Sequence, residues 1–190
     1  MRSSGVLMHL SSLPSPYGIG TMGKQAKQFV DFLEKAGQTY WQMLPICPTS
    51  YGDSPYQSPS GFAGNPYFID LDILCTKKLL KKSECKSYQW NEKDDTVDYA
   101  LLYKNRYDLL RKAKVRFFEN VPQEYGQFCE KEADWLDDFA LFMALKEAHN
   151  GAQWSEWERP LKFREAEAIA KAKDTYADEI DFWKILQYLF

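Results

Sequence analysis

The sequence has little histidine and no long apolar segment, and each of these excludes a class of protein. His9 and His149 are the only histidines in 190 residues, and the four cysteines form no C-x-x-C pair. The ligand spacing of a zinc site is therefore absent, and free, reduced thiols in a cytoplasmic protein are expected. No apolar stretch approaches the roughly 20 residues that a membrane-spanning helix needs, so we expect no membrane partner.

An excess of positive charge is also missing. The chain has 24 basic and 27 acidic residues, for a net charge of −3. A surface that neutralises phosphates needs a basic field, so the sequence predicts no nucleic-acid partner. What is abundant is aromatic side chains, at 16% of the residues. Such rings pack in cores and also stack on sugar rings, and composition alone does not choose between these roles.

The first part of the chain has the pattern of a β-strand, a helix and a second β-strand. Residues 5–10 form a compact apolar run that suits a buried strand, and residues 39–46 are β-branched, aromatic and apolar. Between them, apolar residues recur at three- and four-residue steps over residues 26–36, and Gly37 stands at the expected helix stop. This pattern predicts a parallel βαβ unit with a right-handed crossover, and hence an α/β fold.

Beyond this unit the pattern becomes helical. Residues 66–74 suggest a short strand, and helices are expected from about residue 98 to 118, around residues 135–145, and from about residue 163 to the end. The last of these ends at Phe190 on apolar residues, with no glycine, proline or polar tail. Because such an end leaves helix carbonyls uncapped, the sequence predicts a truncated chain.

Residues 18–23 (GIGTMG) match the glycine pattern of a dinucleotide-binding turn. That turn must leave its strand directly, but residues 11–17, with two prolines, intervene here. The second strand also ends without the acidic residue that would bind the ribose. The context argues against a dinucleotide cofactor.

A long loop, residues 47–65, follows the carboxyl end of the second predicted strand, where α/β barrels keep their sites. Its hydroxyls, amides and aromatic rings suit an oligosaccharide, and a rigid surface loop is the alternative interpretation. Glycosidic chemistry needs two carboxylates about 5–9.5 Å apart. Asp53 could lie near a cleft, and Asp70 and Asp72 could share a strand face, but no pair is persuasive. For His9, a packed, hydrogen-bonded role is favoured over substrate contact.

Four blocks of sequence carry a resemblance to a known family. They are residues 5–20 (GVLMHLSSLPSPYGIG), 40–45 (YWQMLP), 51–58 (YGDSPYQS) and 62–67 (FAGNPY). The blocks resemble the amino-terminal part of amylomaltases, the 4-α-glucanotransferases also called disproportionating enzymes. Weaker similarity continues through the helical part of the chain.

The resemblance implies the first part of a (β/α)8 TIM barrel with a largely helical inserted subdomain, the barrel being incomplete in this chain. Residues 1–75 would hold two barrel strands, the first helix and the sugar-binding loop. Residues 76–190 would hold the helical subdomain and the start of a truncated barrel helix. The implied reaction transfers α-1,4-glucan segments between maltooligosaccharides or other glucans, with retention, through a glycosyl-enzyme and without a cofactor.

The family's catalytic carboxylates would all lie beyond residue 190, so no catalytic or metal-binding residue is predicted here. By resemblance, Ser54 and Tyr56 would line the donor sugar subsites, and Tyr51 and Tyr103 would form a secondary glucan-binding surface. A non-catalytic glucan-binding module and a hydrolase that passes its intermediate to water remain alternatives. The residues leave open the preferred glucan length and the acceptor.

Overall fold

The computed structural model describes residues 2–93 and 95–190. Its two strands are β1 (Gly5–Leu7) and β2 (Tyr40–Gln42). Its helices are α1 (Lys24–Lys35), α2 (Leu71–Thr76), α3 (Lys82–Lys86), α4 (Tyr99–Glu119), α5 (Gln123–Lys131), α6 (Ala133–Ala148), α7 (Arg159–Lys162), α8 (Ala166–Thr175) and α9 (Ala177–Leu189). Single 3-10 turns lie at Leu10–Ser12, Pro66–Phe68 and Trp154–Glu156.

The predicted βαβ unit is present. β1 and β2 pair in parallel, with Val6 opposite Trp41, and α1 connects them. Gly37 ends α1 with a φ of 67°, in the left-handed region that favours glycine. Its N–H donates to Glu34 O, and the next N–H, of Gln38, donates to Leu33 O, which satisfies the last helix carbonyls.

The two strands are shorter and more exposed than expected. Each spans three residues, and in each only the central residue is partly covered. Leu7 in β1 and Tyr40 in β2 are both 61% exposed, and on α1 Val30 and Phe32 are exposed as well. The prediction of buried strands is therefore wrong for this chain, because no further layer among the described residues covers these side chains.

The strand predicted over residues 66–74 is also wrong: this segment is a 3-10 turn followed by α2. Asn65 begins the turn, and its side chain accepts a hydrogen bond from Tyr67 N at 3.0 Å. Asp70 begins α2 in the same way, accepting from Ile73 N at 2.9 Å. Short polar side chains that satisfy the first helix N–H groups explain why the apolar run winds into helical turns. Asp70 and Asp72 consequently do not share a strand face.

The glycines of residues 18–23 are required for close packing. A Cβ atom at Gly20 would collide with the carbonyl oxygen of Leu10, and one at Gly23 would collide with the carboxylate of Asp70. Thr21 between them donates to the same Asp70 carboxylate at 2.7 Å. The segment is thus pressed against the start of α2, which gives its glycine pattern a structural explanation.

Helix α4 confirms the prediction of a helix over residues 98–118. It carries the core of the compact unit that reaches up to Asn120. Its buried side chains recur at helical spacing, at Leu102, Asn105, Arg106, Leu109, Leu110, Ala113, Lys114 and Phe117. Arg106 is fully buried in this row. Its Nε donates to Pro66 O at 3.2 Å, and its Nη2 donates to Ile69 O. The guanidinium therefore fixes the backbone of the 3-10 turn against α4.

The chain forms two compact units, one reaching up to Asn120 together with Phe190, the other spanning Val121–Leu189. The division predicted between residues 75 and 76 is one between barrel strands and an inserted subdomain. It does not refer to compact units, so it stays a prediction. Over residues 2–93 and 95–190, no helix is both long and apolar enough to cross a membrane.

The second unit is helical, with α6 packed on α9. Its core includes Leu136, Phe139, Ala140, Leu141, Ala144 and Leu145 in α6 and Phe182, Trp183, Ile185 and Leu186 in α9. The continuous helix predicted from about residue 163 is instead two helices, α8 and α9, separated at Tyr176, which ends α8. Arg164, with a φ of 55°, separates α8 from the short helix α7, which ends before the predicted start.

Candidate functional site

The long loop after β2, residues 47–65, is closed at its base and turned back on itself. The N–H of Asn65 donates to Ile46 O at 2.9 Å, which joins the two ends of the loop. Within it, Ser50 N donates to Gln57 O at 3.0 Å, and Gln57 N donates to Ser54 O at 3.1 Å. These hydrogen bonds give residues 50–57 a defined turn, so the loop is an ordered part of the first unit.

Asp53 lies at the tip of this turn in an uncommon backbone conformation. Its φ is 52°, and that of Gly52 before it is 86°. Aspartate tolerates the left-handed region better than most residues because its short side chain can hydrogen-bond locally. Here the hydroxyl of Thr49 donates to Asp53 Oδ1 at 3.1 Å. The turn thus fixes the direction of a single carboxylate.

That carboxylate lines a cavity of about 230 Å³ in the first unit. The other lining residues come from the segment after β1, the loop, the 3-10 turn after it and the start of α4. They are His9, Ser11, Ser12, Ile19, Leu44, Pro45, Thr49, Pro55, Asn65, Tyr67, Phe68 and Tyr99. Hydroxyl, amide, imidazole and aromatic groups around one acid suit a polyhydroxylated ligand with apolar C–H faces.

Burial shifts the pKa values of the ionisable groups that line the cavity. Burial raises the pKa of Asp53, although the hydrogen bond from Thr49 opposes this. Burial also raises the pKa of Tyr67 and of Tyr99, and the nearby Asp53 adds to both shifts. The two phenols are therefore protonated at neutral pH and can donate hydrogen bonds.

His9 does not have the hydrogen-bonded role that was expected from sequence. Its ring packs edge-on against Phe68, with 5.5 Å between centroids, but its Nδ1 is buried without a hydrogen-bond partner among the described residues. Burial lowers its pKa, so the imidazole is neutral at neutral pH. His9 follows β1 rather than ending it, and this places the ring in the wall of the cavity.

Three of the four residues predicted to bind sugar lie in or beside the loop tip, outside the cavity lining. Tyr51 is 97% exposed and Tyr56 is 73% exposed. The hydroxyl oxygen of Ser54 accepts from Tyr56 N at 3.3 Å, which fixes these two residues relative to each other. The structure therefore places two exposed aromatic rings on the loop that also carries Asp53.

Tyr103, the fourth predicted residue, lies on α4, one turn after the cavity residue Tyr99. Its ring is 60% exposed and sits 5.0 Å from that of Tyr107, centroid to centroid. Tyr107 also packs against the cavity residue Tyr67, with 6.1 Å between ring centroids. Tyr103 is thus in the neighbourhood of the cavity without lining it.

Sequence reasoning missed Thr49, Tyr67 and Tyr99 as cavity residues. Tyr67 belongs to the fourth block that resembles the family, and Tyr99 lies in the region of weaker similarity, so this resemblance could have been a signal. Asp53 was recognised as a possible cleft residue, and it is the one acid among the lining residues. Asp70 and Asp72 are held elsewhere, by Thr21 and by Tyr17 and Lys82.

Comparison with known proteins identifies the family. A family model described as 4-alpha-glucanotransferase matches residues 8–190. The chain belongs to the 4-alpha-glucanotransferase family. A 4-alpha-glucanotransferase of Clostridium butyricum is 50% identical over 183 residues, which cover 96% of this chain. One of Thermus thermophilus is 46% identical over 193 residues, covering 100% of this chain.

The structural comparison agrees with this family. An amylomaltase from Streptococcus agalactiae, solved in complex with acarbose, superimposes with a TM-score of 0.96 at 39% identity and covers 100% of this chain. The chain covers 39% of that amylomaltase, and it spans 38% of the length of both 4-alpha-glucanotransferases named above. The resemblance expected from the four sequence blocks is confirmed.

Proposed function

We propose that this chain forms part of the glucan-binding wall of a 4-α-glucanotransferase, which transfers α-1,4-glucan segments between maltodextrins with retention. The observation that carries the proposal is the cavity, in which hydroxyl, amide and aromatic groups surround a single carboxylate, Asp53. Retaining glycosyl transfer needs two carboxylates about 5–5.5 Å apart. The cavity therefore has groups suited to binding sugar, but its lining among the described residues includes no second carboxylate for cleavage.

The missing acids belong, in this proposal, to polypeptide outside these residues. By family resemblance, an Asp nucleophile, a Glu acid/base and a second Asp follow later strands of a (β/α)8 barrel, and no cofactor takes part. A complete barrel takes about 250 residues before insertions. The exposed apolar side chains of β1, β2 and α1 support this, because barrel strands are covered on both faces and paired at both edges.

The exposed tyrosines are proposed to contact glucan outside the cavity. Ser54 and Tyr56 would line donor subsites, and Tyr51 and Tyr103 would form a secondary surface. Large apolar rings left this exposed, on a loop held by hydrogen bonds, are suited to stacking on sugars. The four cysteines, which are free thiols, are compatible with the cytoplasmic location that stays a prediction.

A glycosyltransfer assay tests where the catalytic acids lie. The 190-residue protein is incubated with maltotriose, and glucose and longer maltodextrins are quantified. We expect no turnover. Measurable transfer would mean that the catalytic acids lie within these residues. The proposal that they lie outside would then be wrong.

A binding experiment tests the sugar-contacting surface. Acarbose and maltoheptaose are titrated by calorimetry against the wild-type chain and against Tyr56→Ala, with Phe163→Ala as control, since Phe163 is similarly exposed but lies in the second unit. Loss of one stacking ring should weaken binding about fivefold. Equal affinities for the three proteins would remove Tyr56 from the site. Saturable glucan binding by this chain, combined with full transferase activity of a longer protein from which these residues have been deleted, would favour a non-catalytic glucan-binding module.

A further inference from the structure

Two cysteines that are not among the residues lining the cavity lie in contact in the first unit. Cys75 is in α2 and Cys85 is in α3, and their sulfur atoms are 3.7 Å apart. Cys85 is fully buried, whereas Cys75 is only partly covered. We propose that Cys75 and Cys85 form a redox-modification site, at which a peroxide converts the two thiols into an intramolecular disulfide.

The geometry needs only a small movement. A disulfide has sulfur atoms about 2 Å apart, so the pair must close by less than 2 Å. Both helices are short, at six and five residues. A second contact already holds them together, since Lys82 Nζ lies 2.6 Å from Asp72 Oδ1. The fold therefore presents the two sulfurs to each other before any oxidation.

The different burial of the two thiols gives each a separate role. Burial, together with the hydrogen bond to Cys75, raises the pKa of Cys85 to about 12, so this thiol stays protonated. Cys75, the more accessible sulfur, is the one that a small peroxide can reach. Cys75 is thus the sulfur oxidised first, and Cys85 the resolving thiol.

The chemistry balances with one molecule of hydrogen peroxide. The Cys75 thiol loses its proton, its sulfur attacks one peroxide oxygen, and the O–O bond breaks to give a sulfenic acid and hydroxide, which takes that proton to become water. The Cys85 sulfur then attacks the sulfenic sulfur, forming the S–S bond. The departing hydroxide takes the Cys85 proton as a second water. Two thiols are oxidised and one peroxide is reduced.

Formation of the disulfide would change the surroundings of Tyr17 and Trp90. The hydroxyl of Tyr17 donates to Asp72 in α2 at 2.5 Å, and its ring lies 5.8 Å from that of Trp90. Trp90 in turn donates from Nε1 to the carbonyl oxygen of Cys85 at 2.9 Å. Tyr17 is thus linked to both helices, and a contraction between them would change the surroundings of the Trp90 ring.

The first test locates the bond. Because the chain has four cysteines, Cys47→Ser together with Cys129→Ser leaves only Cys75 and Cys85. The substitution at Cys47 is needed because Cys47 and Cys75 share the tryptic peptide 36–77, whereas Cys85 lies in peptide 83–86. After treatment with hydrogen peroxide, we expect a loss of two hydrogen masses and one linked pair of these peptides. Oxidation to sulfinic acid without a link would overturn the proposal.

The second test separates proximity in the fold from proximity in sequence. The same double variant is equilibrated with glutathione redox buffers, with and without denaturing urea, and the disulfide fraction is measured. We expect the folded chain to favour the disulfide by about tenfold or more over the unfolded chain. Equal preference in both states would show that the fold does not present the pair. Adding Cys85→Ser should abolish the link and leave Cys75 as a mixed disulfide with glutathione.

Discussion

The two compact units differ in what they bury. Over the described residues, the first unit buries five polar or charged side chains, at Thr21, Asn65, Asn105, Arg106 and Lys114, and the second buries one, Gln187. The first unit also leaves apolar side chains of its βαβ unit exposed, whereas α6 and α9 of the second close an apolar core on each other. The first unit uses buried polar groups to fix loop backbone near a cavity, whereas the second is packed mainly through apolar helix side chains.

The largest effect is expected from truncating the core of the second unit. Leu136 is fully buried, so Leu136→Ala should lower the free energy of unfolding by about 3–4 kcal/mol through lost burial and an unfilled cavity. Urea unfolding followed by circular dichroism measures this. The same substitution in the first unit, Leu7→Ala, removes a side chain that is 61% exposed and should cost under about 1 kcal/mol. Equal costs would contradict the exposure of β1.

A smaller effect is expected from the buried guanidinium of the first unit. Arg106→Met removes the guanidinium donor from the carbonyl oxygens of Pro66 and Ile69, and of these two only Pro66 O keeps a backbone donor among the described residues, the N–H of Ile69. The expected cost is about 1–3 kcal/mol, partly offset because a charge is no longer buried. Lys104→Met, at an exposed position of the same helix, is the control and should be nearly neutral. Faster amide exchange around residues 65–70 in the first variant alone would show that Arg106 fixes this turn. Unchanged exchange would argue against it.

The smallest effect concerns an ion pair at the surface of the second unit. His149 Nε2 lies 2.8 Å from Glu158 Oε2, and this hydrogen bond is the largest cause that raises the pKa of His149 and lowers that of Glu158. A raised histidine pKa stabilises the fold below its ordinary value of 6.5, and the gain is lost as pH rises through the folded pKa. A lowered glutamate pKa stabilises above its ordinary value of 4.5.

The melting temperature of the wild type should therefore exceed that of His149→Gln most between pH 4.5 and 6.5, and the difference should shrink toward pH 8. Glu156→Gln, which removes an exposed carboxylate close in sequence, is the control and should give no such maximum. A pH-independent difference would mean that His149 acts through packing on Trp157, whose ring is stacked on it, rather than through charge.

Sequence patterns predicted the elements whose causes are local. The apolar spacing of α1 and α4 and the glycine after α1 gave helices with nearly the observed bounds, and the βαβ unit followed from them. The predictions of secondary structure failed where a single hydrogen bond or backbone conformation outweighs the apolar pattern. Asp70 caps a helix where a strand was expected, and Arg164 takes a positive φ where a helix was expected to begin.

The candidate site also has residues that the sequence could propose and a cavity that it could not. Ser54, Tyr51 and Tyr56 could be proposed from sequence because they lie in one loop that resembles a family block, and their sugar contacts stay a prediction. The cavity could not be proposed, because it joins His9, Asp53 and Tyr99, which are far apart in the chain. No periodicity relates such residues.

By itself, the sequence determined the family, the βαβ unit and the main helices, because these depend on patterns within a few turns of chain. Only the tertiary structure decided that Asp53 faces a cavity, that Arg106 holds the turn after the loop, and that the sulfurs of Cys75 and Cys85 touch. The physical reason is that such contacts depend on how distant segments pack, and a single buried side chain can fix them without leaving a pattern in its neighbours.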